Sequence, residues 1–139
     1  ADVRVGFPTE TEENFLETAK FCRAAKFLHL HIFPYSKRKG TEAAVMGGQI
    51  PEHEKKLRLG RLEEIGAGIK HELIDEYIAT HRDNPVYMLT EKCSGRFSTG
   101  HSEHFIEVKA LDCVSDIGEI VPVVLDGYDG HFCTGKRAE

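Results

Sequence analysis

The spacing of apolar side chains changes twice along this chain. Residues 2–7, Asp-Val-Arg-Val-Gly-Phe, alternate polar and apolar positions and are rich in valine, which predicts a strand that Pro8 ends. From Glu12 to about Ala25 the apolar set Phe15, Leu16, Ala19, Cys22 and Ala25 recurs every three or four residues, the signature of one helix face. Thr9 or Thr11 can cap that helix, and acidic residues beside them suit its positive end. Residues 27–33, Phe-Leu-His-Leu-His-Ile-Phe, predict a second strand closed by Pro34. A strand, helix and strand this close together form a β-α-β unit, which implies parallel strands. A loop from Tyr35 to Ile50 follows. Pro51 then opens a long polar helix to about Thr80, with Leu57, Leu62, Ile65, Ile69, Leu73, Ile74, Tyr77 and Ile78 as its apolar stripe. Gly60, Gly66 and Gly68 weaken that helix by about 1 kcal/mol each, so packing must hold it, and a bend is expected near residues 66–68.

After Asn84-Pro85 the period shortens. Residues 86–91, 104–110, 118–125 and 131–136 are strand-like runs, separated by turn signals at Gly95, Gly100, Gly118, Asp126-Gly127 and Asp129-Gly130. Short strands at this density predict a small antiparallel β-barrel. The expected fold class is therefore α+β, with a β/α portion over residues 1–83 and a β-barrel over residues 84–139. Two parallel strands are too few for a sheet that is normally buried on both faces, so the first portion reads as the end of something larger.

Composition narrows the field. Of 139 residues, 40% are hydrophobic and the mean hydropathy is −0.35, as in a globular domain. No apolar run approaches the ~18 residues of a membrane span, and no basic segment precedes an apolar one at the N-terminus, so a cytoplasmic protein is expected. The net charge of −5 excludes a strongly basic nucleic-acid module. Residues 1–83 hold 13 basic and 14 acidic groups, while residues 84–139 hold 5 and 9, so RNA contact would rest on local patches.

Candidate chemistry is sparse. Lys37, Arg38 and Lys39 follow the second strand, at the rim where α/β sheets place their sites. Lys55, Lys56, Arg58 and Arg61 extend the basic character along the long helix, as a phosphate-binding patch or as a solvated face beside Glu52, Glu54, Glu63 and Glu64. His29 and His31 alternate along a strand, which is either a metal-binding pair or two ordinary histidines. His101-Ser-Glu-His104 falls in a turn and matches no zinc motif. Cys22, Cys93, Cys113 and Cys133 are isolated, without any C-x-x-C pair.

Several segments resemble a known family. Asp2-Val-Arg-Val-Gly-Phe-Pro-Thr-Glu-Thr-Glu-Glu-Asn-Phe and His31-Ile-Phe-Pro-Tyr-Ser-Lys-Arg-Lys-Gly-Thr-Glu-Ala-Ala, with Gln49-Ile-Pro after them, resemble the last barrel strands of the radical-SAM tRNA methylthiotransferases. Asn84-Pro-Val, Gly100-His-Ser-Glu-His-Phe-Ile-Glu-Val and Gly118-Glu-Ile-Val resemble the small β-barrel appended to those enzymes, the TRAM domain. The His-Ile-Phe-Pro-Tyr-Ser form resembles the branch acting on threonylcarbamoyladenosine. The resemblance implies the C-terminal portion of an enzyme that adds a methylthio group to C2 of a modified adenosine beside the anticodon. It also implies S-adenosylmethionine and two [4Fe-4S] clusters in the parent. This chain lacks the family's C-x-x-x-C-x-x-C motif, so it is expected to hold no cofactor or metal and to be inactive alone.

The resemblance and the rim position nominate Gly6, Phe7, Pro8, Phe33, Tyr35, Ser36 and Arg38 for cofactor contact. Thr9 stands where the family usually has glycine. For RNA the candidates are Lys37, Arg38, Lys92, Arg96, Lys109, Lys136 and Arg137, with Phe105 and Phe132 as stacking surfaces, although Phe105 suits a core equally well. The expected partners are a tRNA anticodon stem-loop and the missing N-terminal part of the parent, with self-association through exposed sheet edges. The alternatives are a fragment of an enzyme that methylthiolates a ribosomal protein, a metallohydrolase fragment built on His29 and His31, and an interaction module without chemistry.

Overall fold

A computed structural model describes residues 1–112 and 117–138; Cys113 lies outside them. The elements run β1 (Asp2–Val5), α1 (Glu12–Ala25), β2 (His31–Pro34), α2 (Glu42–Val45), α3 (Glu52–Thr80), β3 (Val86–Ser94), β4 (Phe97–Ser102), β5 (Glu107–Leu111), β6 (Ile120–Tyr128) and β7 (Cys133–Arg137). They form two compact units, Ala1–Leu73 and Ile74–Glu139. The division falls inside α3, ahead of the Asp83 boundary expected from sequence, because the apolar stripe of the helix runs on past the first unit's core.

In the first unit β1 and β2 pair in parallel, with Asp2 opposite His31 and Arg4 opposite Phe33. Val3, Val5 and Ile32 point to one face and meet Phe15, Ala19 and Cys22 of α1 and Leu62 and Ile69 of α3. The α1 cap is Thr11, in a reciprocal box with Asn14: the Thr11 side chain accepts from the Asn14 backbone N–H, and the Asn14 side chain accepts from that of Thr11. Strand β2 starts four residues later than the alternation predicts, so His29 precedes it and is not paired with His31 along one strand face. The one-turn helix α2, capped by Thr41, was not foreseen; four residues are too few to show a period. α3 runs unbroken through its three glycines. Gly66 is explained by Leu30, whose Cδ1 would lie 3.3 Å from an added Cβ.

The second unit contains a five-stranded sheet in the order β3-β4-β5-β7-β6, with β6 pairing back to β3 so that the ladder closes. Strand β4 was missed because Phe97–Ser102 carries serine, glycine and threonine where a strand usually shows branched apolar residues. His101 and Ser102 accordingly belong to a strand and not to a turn. The ladder is also not purely antiparallel: β5 and β7 run parallel. A closed ring of five strands cannot alternate direction throughout, so at least one adjacent pair must be parallel. Val86, Met88, Thr90, Ser98, Val108, Ala110, Val121, Val123, Leu125 and Cys133 fill the interior. The ring is narrow at two glycines: a Cβ at Gly100 would collide with the Leu89 carbonyl, and one at Gly135 with the Val124 carbonyl.

Candidate functional site

The cofactor candidates gather where β1 and β2 end. Gly6 has φ +72°, and its N–H donates to Glu10 Oε1 at 3.0 Å. The space beside its Cα is occupied by the Lys55 side chain, so an added Cβ would strike Lys55. Tyr35 is buried; its N–H donates to the Val5 carbonyl at 2.8 Å, its ring meets Phe7 edge-on at 5.4 Å, and its hydroxyl has no partner among the described residues. Phe7, Phe33, Ser36, Lys37 and Arg38 are exposed, whereas Gly6, Pro8 and Tyr35 form the floor beneath them. Thr9 sits in the left-handed region at φ +72°, with its N–H donating to the Gly48 carbonyl at 2.8 Å. The turn therefore has the geometry that favours glycine, held here by a threonine.

Two of the helix cations serve the interior. Lys55 and Arg58 are only 3% and 4% exposed, which removes them from any phosphate-binding surface. Lys55 Nζ donates to Glu52 Oε1 at 2.6 Å and to the Tyr35 carbonyl at 3.1 Å. Arg58 donates to the Glu10 carboxylate at 2.6 Å and the Glu10 carbonyl at 2.9 Å, and it also pairs with Glu54. Residues 6–10 are thereby fastened to α3. Composition signals charge but not its destination, and the i, i+3 and i, i+4 carboxylates at Glu52 and Glu54 were the available hint. Arg61 pairs with Glu12 at 2.8 Å and lies over the Phe15 ring. The bond to Arg61 holds the Glu12 carboxyl below its usual range, and the Arg61 guanidinium is raised in turn.

The second candidate surface lies on the outside of the closed sheet. Lys92 of β3 pairs with Thr99, Thr99 with Lys109, and Lys109 with Thr134, so these residues form one outward row. The next row holds Ser94, Phe97, Leu111 and Lys136, and Arg96 lies in the hairpin beside Phe97. Lys92, Arg96, Lys109 and Lys136 thus lie along two adjacent outward rows that follow the curve of the closed sheet, and Arg137 closes β7 one position beyond Lys136. Two of these cations have internal counter-ions. Arg96 pairs with Asp112, and Lys109 reaches Asp129 at 3.7 Å while lying over the Phe97 ring. The backbone N–H groups of Phe132 and His131 keep the Asp129 carboxyl below its normal range. Phe105 is 80% exposed with φ +59°, on the turn between β4 and β5, which excludes a core role. Phe132 is half-buried against His131.

Sequence spacing did not reveal a ring cluster within this unit. Tyr77 Oη lies 3.0 Å from Ser102 Oγ and 3.1 Å from His104 Nδ1, and the His81 ring lies against Tyr77 at 4.3 Å, tilted by 43°. Burial pushes the Tyr77 hydroxyl up, against the pull of its bond to Ser102.

The fit to metals can be tested on ligand sets. Among the described residues no three His, Cys, Asp or Glu side chains come together as a metal site. Cys22 lies in the first unit's core, Cys93 is exposed on β3 and Cys133 is buried in β7, so they supply no set of adjacent thiolates for an iron–sulfur cluster. His29 and His31 likewise belong to no such group among the described residues. Also among the described residues, no helix is long and apolar enough to cross a membrane.

The first unit thus offers a polar rim at the ends of β1 and β2, and the second a closed sheet with cations on its outside. Comparison with known proteins specifies the class. No protein-family profile matches the chain. It is 36% identical over 142 aligned residues to a threonylcarbamoyladenosine tRNA methylthiotransferase, MtaB, of Bacillus subtilis, covering 95% of this chain and 31% of that protein. The MtaB of Rickettsia prowazekii is 38% identical, with 95% of this chain and 29% of that protein covered. A tRNA-2-methylthio-N(6)-dimethylallyladenosine synthase of Saccharopolyspora erythraea is 37% identical, with 94% and 28% covered. The chain belongs to this MiaB-like family of tRNA methylthiotransferases, and it spans about three-tenths of the length of the curated relatives it matches.

Proposed function

We propose that this chain is the portion of a tRNA methylthiotransferase that completes the rim of a radical-SAM β/α barrel and grips the tRNA through a TRAM-like domain. The parent would add a methylthio group to C2 of an N6-threonylcarbamoyladenosine beside the anticodon. The observation that carries this reading is sequence identity over nearly the whole chain with proteins named for that chemistry. When bound, S-adenosylmethionine and the two [4Fe-4S] clusters supply the radical and sulfur chemistry of such an enzyme. The cluster ligands belong to the part of the parent outside these 139 residues. Phe7, Ser36 and Arg38 offer exposed surface toward the cofactor, over a floor made by Gly6, Pro8 and Tyr35. β1 and β2 pair only with each other among the described residues, so each keeps an edge to which further strands of the parent barrel can add, or through which isolated chains self-associate.

RNA binding is assigned to Lys37 and Arg38 in the first unit and to Lys92, Arg96, Lys109, Lys136 and Arg137 in the second, with Phe105 as an exposed ring for stacking. In the second unit Lys92, Lys136 and Arg137 have no internal ion pair among the described residues, so they contribute more than Arg96 and Lys109. The test is binding of a synthetic anticodon stem-loop across a salt series. Affinity should fall steeply with salt, and Lys92→Gln or Lys136→Gln should each reduce the log–log slope by about 1. Salt-independent binding would remove the phosphate-led mode.

A further inference from the structure

Strands β1 and β2 have a second face. Val3, Val5 and Ile32 are turned to the core, while Asp2, Arg4, His31 and Phe33 are turned away from it and exposed. The register sets Arg4 directly beside Phe33, nearer the C-terminal ends of the strands than the Asp2–His31 pair. Asp2, Val3, Arg4 and Phe33 line a shallow depression of about 320 Å³. Parallel sheets usually bury apolar side chains on both faces. This face instead presents a guanidinium, an imidazole, a carboxylate and an aromatic ring, which suits a polar ligand better than a covering helix. The Arg4 side chain makes no ion pair or hydrogen bond among the described residues, not even with Asp2 two positions earlier.

Resting on the function proposed above, we infer that Arg4 and Phe33 read the modified adenine, the guanidinium taking an anionic N6 substituent while the ring lies against the purine. The relatives divide between two substrates. Some are named for threonylcarbamoyladenosine and others for dimethylallyladenosine, at similar identity to this chain. The chemistry of the two substituents differs sharply. Threonylcarbamoyl ends in a carboxylate, which a guanidinium binds through paired, charge-assisted hydrogen bonds. Dimethylallyl is a hydrocarbon and would leave a desolvated Arg4 without compensation. The charge on this face therefore selects the carboxylate-bearing substrate, a distinction that identity alone does not make.

The experiment uses the full-length parent and three synthetic anticodon stem-loops, carrying N6-threonylcarbamoyladenosine, its methyl ester or N6-dimethylallyladenosine. Affinity is read by fluorescence anisotropy and methylthio product by mass spectrometry. The unmodified enzyme should prefer the acid to its ester by roughly ten- to a hundredfold. Arg4→Gln should abolish that preference, binding acid and ester alike. Arg4→Lys should recover part of it by keeping the charge without the planar fork. Phe33→Leu should weaken acid and ester by the same factor. An Arg4→Gln enzyme that keeps the acid-to-ester ratio overturns the inference, as does an unmodified enzyme that binds both equally or processes only the dimethylallyl stem-loop. Product from none of the three stem-loops removes the methylthiotransferase reading itself, and this inference falls with it.

Discussion

At Thr9 a single side chain occupies a conformation that its own Cβ opposes. Its φ of +72° costs a non-glycine residue about 1–2 kcal/mol, and the Thr9-to-Gly48 backbone bond fixes it there. Thr9→Gly should therefore raise the stability of the first unit by about 1 kcal/mol, measurable as a shifted urea midpoint. Arg58 presents the opposite case. It is buried and bonded to Glu10 and Glu54, so Arg58→Ala leaves the Glu10 carboxylate without its partner and should cost about 3–5 kcal/mol. At Asp129 the carboxylate accepts from the N–H groups of His131 at 2.9 Å and Phe132 at 2.8 Å. Its folded pKa is lowered by those bonds, so the stability it lends is complete above the unfolded value near pH 4 and is lost as pH falls through the lower folded value. Asp129→Asn should flatten that acid limb in a pH series of thermal melts. None of these roles is visible in composition. The sequence marks Thr9 as a candidate helix cap and a departure from a family pattern, and it marks Arg58 as one charge in a run.

Elements were legible in proportion to their length and regularity. α1 and α3 show a three-to-four period because one stripe of each is pressed into a common core, although in α3 Lys55 and Arg58 are buried as well and Leu57 of the expected stripe is exposed. β4 was illegible because its inward positions are Ser98, Gly100 and Ser102: the narrow interior of the ring leaves room for little more. The glycines of α3 illustrate the same logic. Nothing lies within 4 Å of an added Cβ at Gly68, so Gly68→Ala should gain about 1 kcal/mol in thermal unfolding. The same change at Gly66 should gain less, because the Leu30 methyl must move aside. Gly100→Ala should open the ladder between β3 and β4, since the Leu89 carbonyl stands where the methyl would be, and should prevent the closed sheet from forming.

Across the whole molecule, the cysteines report on both units at once. Cys22 and Cys133 are buried, and burial pushes the Cys22 thiol up, whereas Cys93 is exposed. Among these three, iodoacetamide should label Cys93 in the folded chain and reach Cys22 and Cys133 only when their units unfold. Reconstitution of the isolated chain with iron and sulfide should give no [4Fe-4S] absorption, because these thiols are not brought together. That scattering was readable in the sequence, as was the general order of a β/α portion and a β portion. The site was less so: rim residues follow from strand ends, but the cationic face at Arg4 depends on a parallel register that spacing cannot supply.

Val86, the first residue of β3, pairs with Val123, and Val123 pairs with Arg137, the last residue of β7. Chain entry and exit are therefore two strands apart, about 10 Å. A few glycines could bridge that gap, and a circularly permuted version opened at the β3–β4 hairpin should recover the same pairing. A domain whose two ends lie this close can be attached to, or spliced into, a larger protein without disturbing its own strand pairing.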